Sequence, residues 1–453
     1  MKKAYWFIFS VFVFFSPIHY AQSQDQSLED SPIQILRDDK EDTQEKKYPH
    51  FKESHSLKTL LQNALRNPLL QSKEKQIQAL REEKNAVYAE YLPKVVAGYA
   101  YQDTQNPDIF YPKKVEGAFV EAQWLIFDGL AREGKLDIAH YKLKSKEHES
   151  KGTKEQLQLK IIQEYFNALS MQSRLNALTY QQEELKESIL KYQKFYDVGL
   201  ASRDTLEAIK AQSYQNIYAT ESTKTALKAH LEQLSLLSGL EVNTLNERTN
   251  LQEVSLNIPS KEREDLQANF YTLKAQESVQ SQYTYLPTIS LSNRYTRYNY
   301  SDRALPHLPF EIPIEDPAYQ NTLGLSIRFT LFDSLATYRA KESARLQALA
   351  ANFEYTYLKD SQRRELIIAK ENLRSAKEKI QWADSSYQSA SIAYSYAKEK
   401  FNSQLIDYTQ YLNTLSALLN AQSFYDISRY EYEVKKAEFL YQSGESLELF
   451  VKD

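Results

Sequence analysis

The chain has 453 residues, 60 acidic against 56 basic side chains, and no cysteine. So slight a net charge disfavours a nucleic-acid partner held by phosphate neutralisation. The missing thiols exclude disulfides, Cys-ligated metal and a lipidated N-terminal cysteine.

Lys2 and Lys3 precede an apolar run from Ala4 to Phe15, which Pro17 breaks before the small residue Ala21. This is how a secretory signal over residues 1–21 is built, and it is too short to span a bilayer as a helix. Residues 22–52 are polar, carry both charge signs and lack periodicity, which predicts a mobile arm. No later apolar run is long enough for a membrane helix, so any membrane contact falls to strands. Nine glycines imply few tight turns, and 34 tyrosines suit the aromatic girdle of a membrane barrel.

A first repeat is expected over 53–258. A helix begins at Leu57, is interrupted at Asn67-Pro68, resumes to Tyr91 and stops at Leu92-Pro93, where the residue before proline is pushed out of helical geometry. Val95, Ala97, Tyr99 and Tyr101 then alternate with Val96, Gly98, Ala100 and Gln102. Val120, Ala122, Trp124 and Ile126 alternate likewise with Glu121 and Gln123. A period of two predicts strands at 94–102 and 118–127, one hairpin over 94–127. Phe127-Asp128-Gly129 leads into a helix from about Leu130 to Tyr196, with Leu157, Ile161, Tyr165, Ala168 and Leu185 on heptad-compatible spacing. Gly134 and Gly152 inside it each imply a modest helix cost. Val198-Gly199-Leu200 breaks the helix, and Asp204 begins a return helix to Ser238-Gly239.

The same order recurs over 259–453. A helix from Ser260 to Tyr285 stops at Leu286-Pro287, strands follow at 288–298 and 322–331 in a hairpin over 288–332, and Phe332-Asp333-Ser334 is the exit. In the fourth strand Leu323, Leu325, Ile327, Phe329 and Leu331 oppose Thr322, Gly324, Ser326, Arg328 and Thr330. The second long helix carries Ala369, Leu373, Ala376, Ile380, Ala383, Tyr387, Ala390, Tyr394, Ala397 and Phe401 at alternating steps of four and three. That 3.5-residue repeat is a coiled-coil seam. A turn at Gln404-Leu405, a return helix and a C-terminal belt segment complete the half. The two Phe-Asp exits lie 205 residues apart and the two Leu-Pro pairs 194 apart.

Four strands cannot close a barrel, yet a bilayer-spanning sheet must be closed. Oligomerisation resolves this. An arginine facing lipid near the midplane costs about 2 to 4 kcal/mol, so Arg328, Arg294, Glu121 and Gln123 are assigned to a water-filled lumen. Tyr99, Tyr101, Tyr295 and Tyr298 are assigned to an interfacial girdle. The seven histidines are scattered without metal-ligand spacing, and there is no phosphate loop or nucleophile elbow. No enzyme, metal or cofactor is expected.

From about Leu57 to Leu449 the chain resembles the TolC-like family of outer-membrane efflux proteins. The resemblance rests on Asn67-Pro68, Leu92-Pro93, Phe127-Asp128-Gly129, Phe332-Asp333-Ser334 and Tyr196-Asp197-Val198-Gly199-Leu200, taken in their order and spacing. It implies a mainly α fold with a pair of membrane β-hairpins, in which a duplicated long-helix coiled-coil tunnel continues from the strands. Three protomers would share a twelve-stranded barrel as a homotrimer in the outer membrane of a Gram-negative bacterium, with a large periplasmic extension. Partners implied are outer-membrane lipid, a periplasmic adaptor (membrane fusion) protein and an inner-membrane transporter, for export of small molecules or polypeptides.

The resemblance also implies an adaptor-docking tip at Val198, Gly199 and Leu200, with Gln404 and Leu405 as its second-half counterpart. In the family two aspartates past the second tip form carboxylate rings that constrict the tunnel. Aligning Gln404 with the turn glycine puts Gln410 and Asn413 at those positions. Asp407 then supplies a single ring at the mouth, and Asp204 a bond to a neighbouring return helix. The competing reading is a secreted or periplasmic coiled-coil scaffold or adhesin, which shares the heptads but has no need of two alternating hairpins.

Overall fold

The structure, a computed structural model, describes residues 54–106, 112–247, 249–301 and 317–451. The expected signal segment, the polar arm and most of both hairpin loops lie outside those residues. In chain order the elements are β1 (Ser54–His55), α1 (Leu57–Ala64), α2 (Pro68–Ala89), β2 (Lys94–Asp103), β3 (Lys114–Phe127), α3 (Ala131–Asp197) and α4 (Arg203–Ser238). Then follow β4 (Thr244–Leu245), α5 (Glu264–Val279), β5 (Thr288–Ser301), β6 (Tyr319–Arg328), α6 (Ala336–Asn402) and α7 (Tyr408–Gln442).

Local chemistry explains the breaks. The Asn67 side chain accepts from the Leu69 N–H at 2.9 Å, and Pro68 stands in the first turn of α2, where a missing N–H costs nothing. Asn67 also donates to the Leu237 carbonyl at 2.9 Å, tying this break to the end of α4. α3 and α6 are each 67 residues long, about 100 Å at 1.5 Å per residue. Such length needs lateral support: α3 packs against α2, α4, α5 and α7, while α6 packs against α5 and α7. In the α6–α7 seam Ala369, Leu373, Ala376, Ala383 and Ala397 are buried, and Tyr387 stacks on Tyr425 with ring centroids 6.2 Å apart.

The densest core surrounds the middle of α3. Ile161, Ile162, Tyr165 and Phe166 are fully buried there against Leu57 and Leu60 of α1, Leu234 of α4 and Leu440 of α7. β1 and β4 form a parallel pair beside it, Ser54 opposite Thr244, which the polar sequence around them does not announce. Gly134 and Gly152 prove to be contact points. A Cβ at Gly134 would meet the Ser281 Cβ at 3.0 Å, and one at Gly152 the Asp265 backbone nitrogen at 3.2 Å. Their smallness lets α5 and the turn after it approach α3.

The four long strands form one antiparallel sheet in the order β2-β3-β5-β6. Several sequence boundaries need correction: β3 begins at Lys114 rather than 118, β5 runs on to Ser301 rather than 298, and β6 begins at Tyr319 rather than 322, because ladder pairing with the neighbouring strands carries each further. β6 runs Tyr319–Arg328, so Phe329, Thr330 and Leu331, expected inside the fourth strand and the 288–332 hairpin, follow it instead. Its ladder ends at Thr288↔Arg328, because the next residue of the partner is Pro287, which has no N–H to donate. The helix expected from Ser260 to Tyr285 is also shorter: α5 starts at Glu264, and a 3₁₀ turn at Gln280–Gln282 ends it.

Candidate functional site

Register decides which side chains share a face of the sheet. Glu121 pairs with Arg294, Gln123 with Ser292, and Thr288 with Arg328, so all four residues assigned to a lumen stand on one face. Arg294 lies 3.6 Å from Glu121 and sits over the Phe119 ring at 4.0 Å. Gln123 donates to Glu121 at 2.6 Å. The opposite face carries Val95, Val120, Trp124, Leu323, Leu325 and Ile327, all exposed. Tyr99, Tyr101 and Tyr295 belong to that apolar face. Tyr298 does not: it pairs with Gly117 on the polar face, since an even step from Arg294 cannot share a side with Tyr295.

Where strands turn into helices, both halves use one device. Asp128 accepts from the Arg132 N–H at 3.0 Å and Asp333 from the Thr337 N–H at 2.8 Å, after two successive left-handed residues in each case, Gly129 and Leu130, then Ser334 and Leu335. The first junction adds a clamp that sequence reasoning missed. Arg132, 3 % exposed, donates to the carbonyls of Glu90 and Ile126, both at 3.1 Å. Its guanidinium lies 4.5 Å over the Tyr91 ring and 3.2 Å from Asp128. The end of α2, the end of β3 and the start of α3 are thereby fixed to one cation.

At the far end of the long helices, Gly199 has φ 76° and Gln404 has φ 61°. The Leu200 N–H bonds the Phe195 carbonyl at 2.7 Å and the Leu405 N–H bonds the Lys400 carbonyl at 2.8 Å. Val198, Leu200 and Leu405 project into solvent, Leu200 at 77 % exposure. Each return helix is then capped: Ser202 accepts from the Thr205 N–H at 3.4 Å, Asp407 from the Gln410 N–H at 2.7 Å. The Asp407 carboxylate is thus a helix cap, whatever else it faces. The Ser202 hydroxyl holds the exposed Asp204 carboxyl below the usual carboxylate range.

Gln410 and Asn413 are exposed on one face of α7, away from Tyr408, Tyr411, Leu412 and Leu415, which are buried against Leu185 and Ile209. Four of the expected tip and gate residues, Gln404, Asp407, Gln410 and Asn413, therefore lie on or just before α7. Asp204 is carried separately on α4, which packs on α3. An aromatic cluster seats α7 above the tip: Phe401 stacks on Tyr411 at 4.8 Å, Tyr192 meets Tyr408 at 5.0 Å, and the Tyr394 and Tyr411 hydroxyls are 3.1 Å apart. Burial pushes the Tyr408 and Tyr411 phenols up. Their spacing of three beside Tyr394 and Phe401 was the available signal.

A buried cation, also unforeseen, sits at the other end of α7. Lys436, 1 % exposed, lies 2.8 Å from Glu433 and donates to the Leu251 carbonyl at 3.0 Å, while Glu433 accepts from the Leu251 N–H at 2.8 Å. It fastens the irregular segment after α4 to α7. Among the described residues no helix is long and apolar enough to cross a membrane.

No protein-family model and no curated relative matches the chain. Solved structures do. The Campylobacter jejuni CmeC outer membrane channel superposes with a TM-score of 0.76 at 17% identity, covering 86% of this chain and 85% of that one. The outer membrane protein VceC from Vibrio cholerae gives 0.73 at 14% identity, with 86% and 96% covered. The open-state MtrE outer membrane channel of Neisseria gonorrhoeae gives 0.71 at 12% identity, with 86% and 89% covered. Agreement over most of both chains at so little shared sequence lies in the arrangement of elements, and this chain accordingly has the fold of the TolC-like outer-membrane channels.

Proposed function

We propose that the chain is the outer-membrane channel of a tripartite efflux or type I secretion system in a Gram-negative bacterium. Three copies share a twelve-stranded barrel, and their long helices form a periplasmic tunnel through which small molecules or polypeptides leave the cell. The observation that carries this reading is the sheet: its apolar face is exposed, its polar face holds the Arg294–Glu121 pair, and its order leaves β2 and β6 as edges. Lipid suits the first face and water the second, and copies of the chain supply the missing edge partners.

On this reading the repeats over 53–258 and 259–453 each contribute a hairpin to the barrel and a helix pair to the tunnel. Arg328, Arg294, Glu121 and Gln123 line the lumen. Val198, Gly199, Leu200, Gln404 and Leu405 meet a periplasmic adaptor that links the channel to an inner-membrane transporter, the source of energy. Asp407, Gln410 and Asn413 lie at the constriction, with Asp204 bracing it.

Deleting the gene from its host and restoring it with Gly199→Trp tests the role. The expected result is raised drug susceptibility on deletion and no rescue by the variant, although its trimer still migrates above the monomer in unheated gels. A wild-type protein that never forms a heat-modifiable trimer in outer-membrane extracts would overturn the reading in favour of a scaffold or adhesin.

A further inference from the structure

Within one protomer the two halves of the chain meet where α3 of the first packs against α7 of the second. That seam is spelled by Ser173 donating to Asp426 at 2.8 Å, Gln181 donating to Ser416 at 2.8 Å, and Ala177 packed against the cluster holding Leu415 and Leu419. Around Ala177 the fit is loose, leaving a cavity of about 360 Å³. α6 and α4 are the counterparts of α3 and α7 under a 205-residue step: α3 and α6 are both 67 residues long, and caps Ser202 and Asp407 coincide under the same step.

Carrying the seam across by that step sends Ala177 to Trp382, Leu419 to Tyr214 and Ser416 to Ala211. On α6 the stripe Ser375, Glu378, Trp382, Ser386 and Ser389 is exposed throughout, and so on α4 are Glu207, Ala211, Tyr214, Tyr218 and Glu221. Trp382 is 65 % exposed and Tyr214 70 %. Two large aromatics at matching places on two uncovered helix faces are the kind of anchor that concentrates interface energy.

We propose that these faces join two copies of the chain, α6 of one protomer against α4 of the next, with Trp382 packed on the partner's Tyr214. In the seam between copies the indole would fill the space equivalent to the one that the internal seam leaves beside Ala177. Glu378 would approach the partner's Glu221, but each already has an intrahelical cation, Arg374 at 3.4 Å and Lys224 at 2.7 Å respectively. The upper seam does not transfer in the same way. Gly134 and Gly152, which admit α5, correspond to Arg339 and Tyr357 on α6, so close approach is lost there and the lower seam carries the specificity.

The proposal rests on the trimeric reading above, and the absence of cysteine makes both testable in one background. Trp382→Cys with Tyr214→Cys, treated in outer membranes with a short bis-maleimide, should give dimer and trimer ladders on denaturing gels. Ala177→Cys with Leu419→Cys, the internal counterpart, should change migration of the monomer without adding mass. A trimer that survives unheated electrophoresis yet yields no ladder from the first pair, while the internal pair reacts, overturns the seam and leaves the trimer standing. Failure of the unmodified chain to form a trimer sinks both. Should the cysteine pair not fold, Trp382→Ala is expected to lower the trimer's dissociation temperature by roughly 5 °C or more, with Trp382→Phe largely restoring it; an unchanged dissociation temperature in Trp382→Ala also overturns the seam.

Discussion

Gly199 and Gln404 hold the same left-handed backbone at the two helix tips, φ 76° and 61°, although only one of them is glycine. For a residue with a Cβ this region costs about 1 kcal/mol. A Cβ at Gly199 would meet nothing within 4 Å, so substitution there acts through the backbone alone. Gln404→Gly should stabilise the second tip and Gly199→Ala destabilise the first, each by about 0.5 to 1 kcal/mol. Denaturant titration followed by helical circular dichroism measures both, and equal signs for the two variants would refute the account.

Arg132 offers a larger effect. Arg132→Met strands the Asp128 carboxylate and frees two carbonyls, so a loss of about 2 to 4 kcal/mol is expected. Adding Asp128→Asn should cost little more, because the two residues form one network. Additive losses in a double-mutant cycle would mean that the clamp is not a unit. Thr337, the counterpart in the second half, binds Asp333 through its side chain as well as its N–H, so Thr337→Ala loses one exposed hydrogen bond and should cost much less than Arg132→Met.

Stability should also depend on pH near neutrality. Burial pushes the Glu155 carboxyl up to about 7, and Glu264 and Asp265 add to the rise while Lys154 and Arg263 oppose it. His148, on the same helix as Glu155, lies 2.6 Å from Glu264. A carboxyl raised in the fold favours the protonated native state. Its contribution is fully present below the ordinary value of 4.5 and is lost as pH rises through about 7. Glu155→Gln should therefore match the parent at pH 4 and exceed it at pH 8 by about 1 kcal/mol, after allowance for solvent screening. Melting curves across that range decide it, and a pH-independent difference would count against Glu155 as the titrating group.

At the proposed constriction, the neutral amides of Gln410 and Asn413 lack the focused negative field of stacked carboxylates. Single-channel recordings should find the parent resistant to block by trivalent cations from the periplasmic side. Gln410→Asp with Asn413→Asp should create that block. Asp407→Asn keeps a comparable helix cap but removes the one carboxylate of the proposed mouth, so it is expected to lower the residual cation preference while weakening α7 by about 0.5 kcal/mol or less. Tight block of the unmodified channel that survives Asp407→Asn would place the constriction elsewhere.

Elements bounded by their own residues were legible in the sequence. Pro68, Pro93 and Pro287 mark breaks wherever they fall, and period-two alternation located all four long strands. Ends set by a partner were not: β6 stops at Arg328 because of a proline on the neighbouring strand, not because of anything in Phe329 or Leu331. The Arg132 and Lys436 clamps escaped notice for a similar reason. Their acceptors include backbone carbonyls of Glu90 and Leu251, distant in sequence and without side-chain identity. Asp407 is different, since Asp followed three residues later by Gln at a helix start is a recognisable capping pattern. The placement of Tyr298 on the polar face required only counting by twos from Tyr295.

The free edges of β2 and β6 carry an implication for how the protein reaches its final state. A lone copy entering the bilayer would bring two rows of unpaired N–H and C=O groups into hydrocarbon, at several kcal/mol for each unsatisfied group. For the proposed trimer, membrane entry and association of the copies are coupled, and the assembled fraction at equilibrium depends on the cube of the chain concentration. Yield should fall steeply as the protein is diluted during reconstitution, and the apparent stability of the sheet has no value independent of concentration.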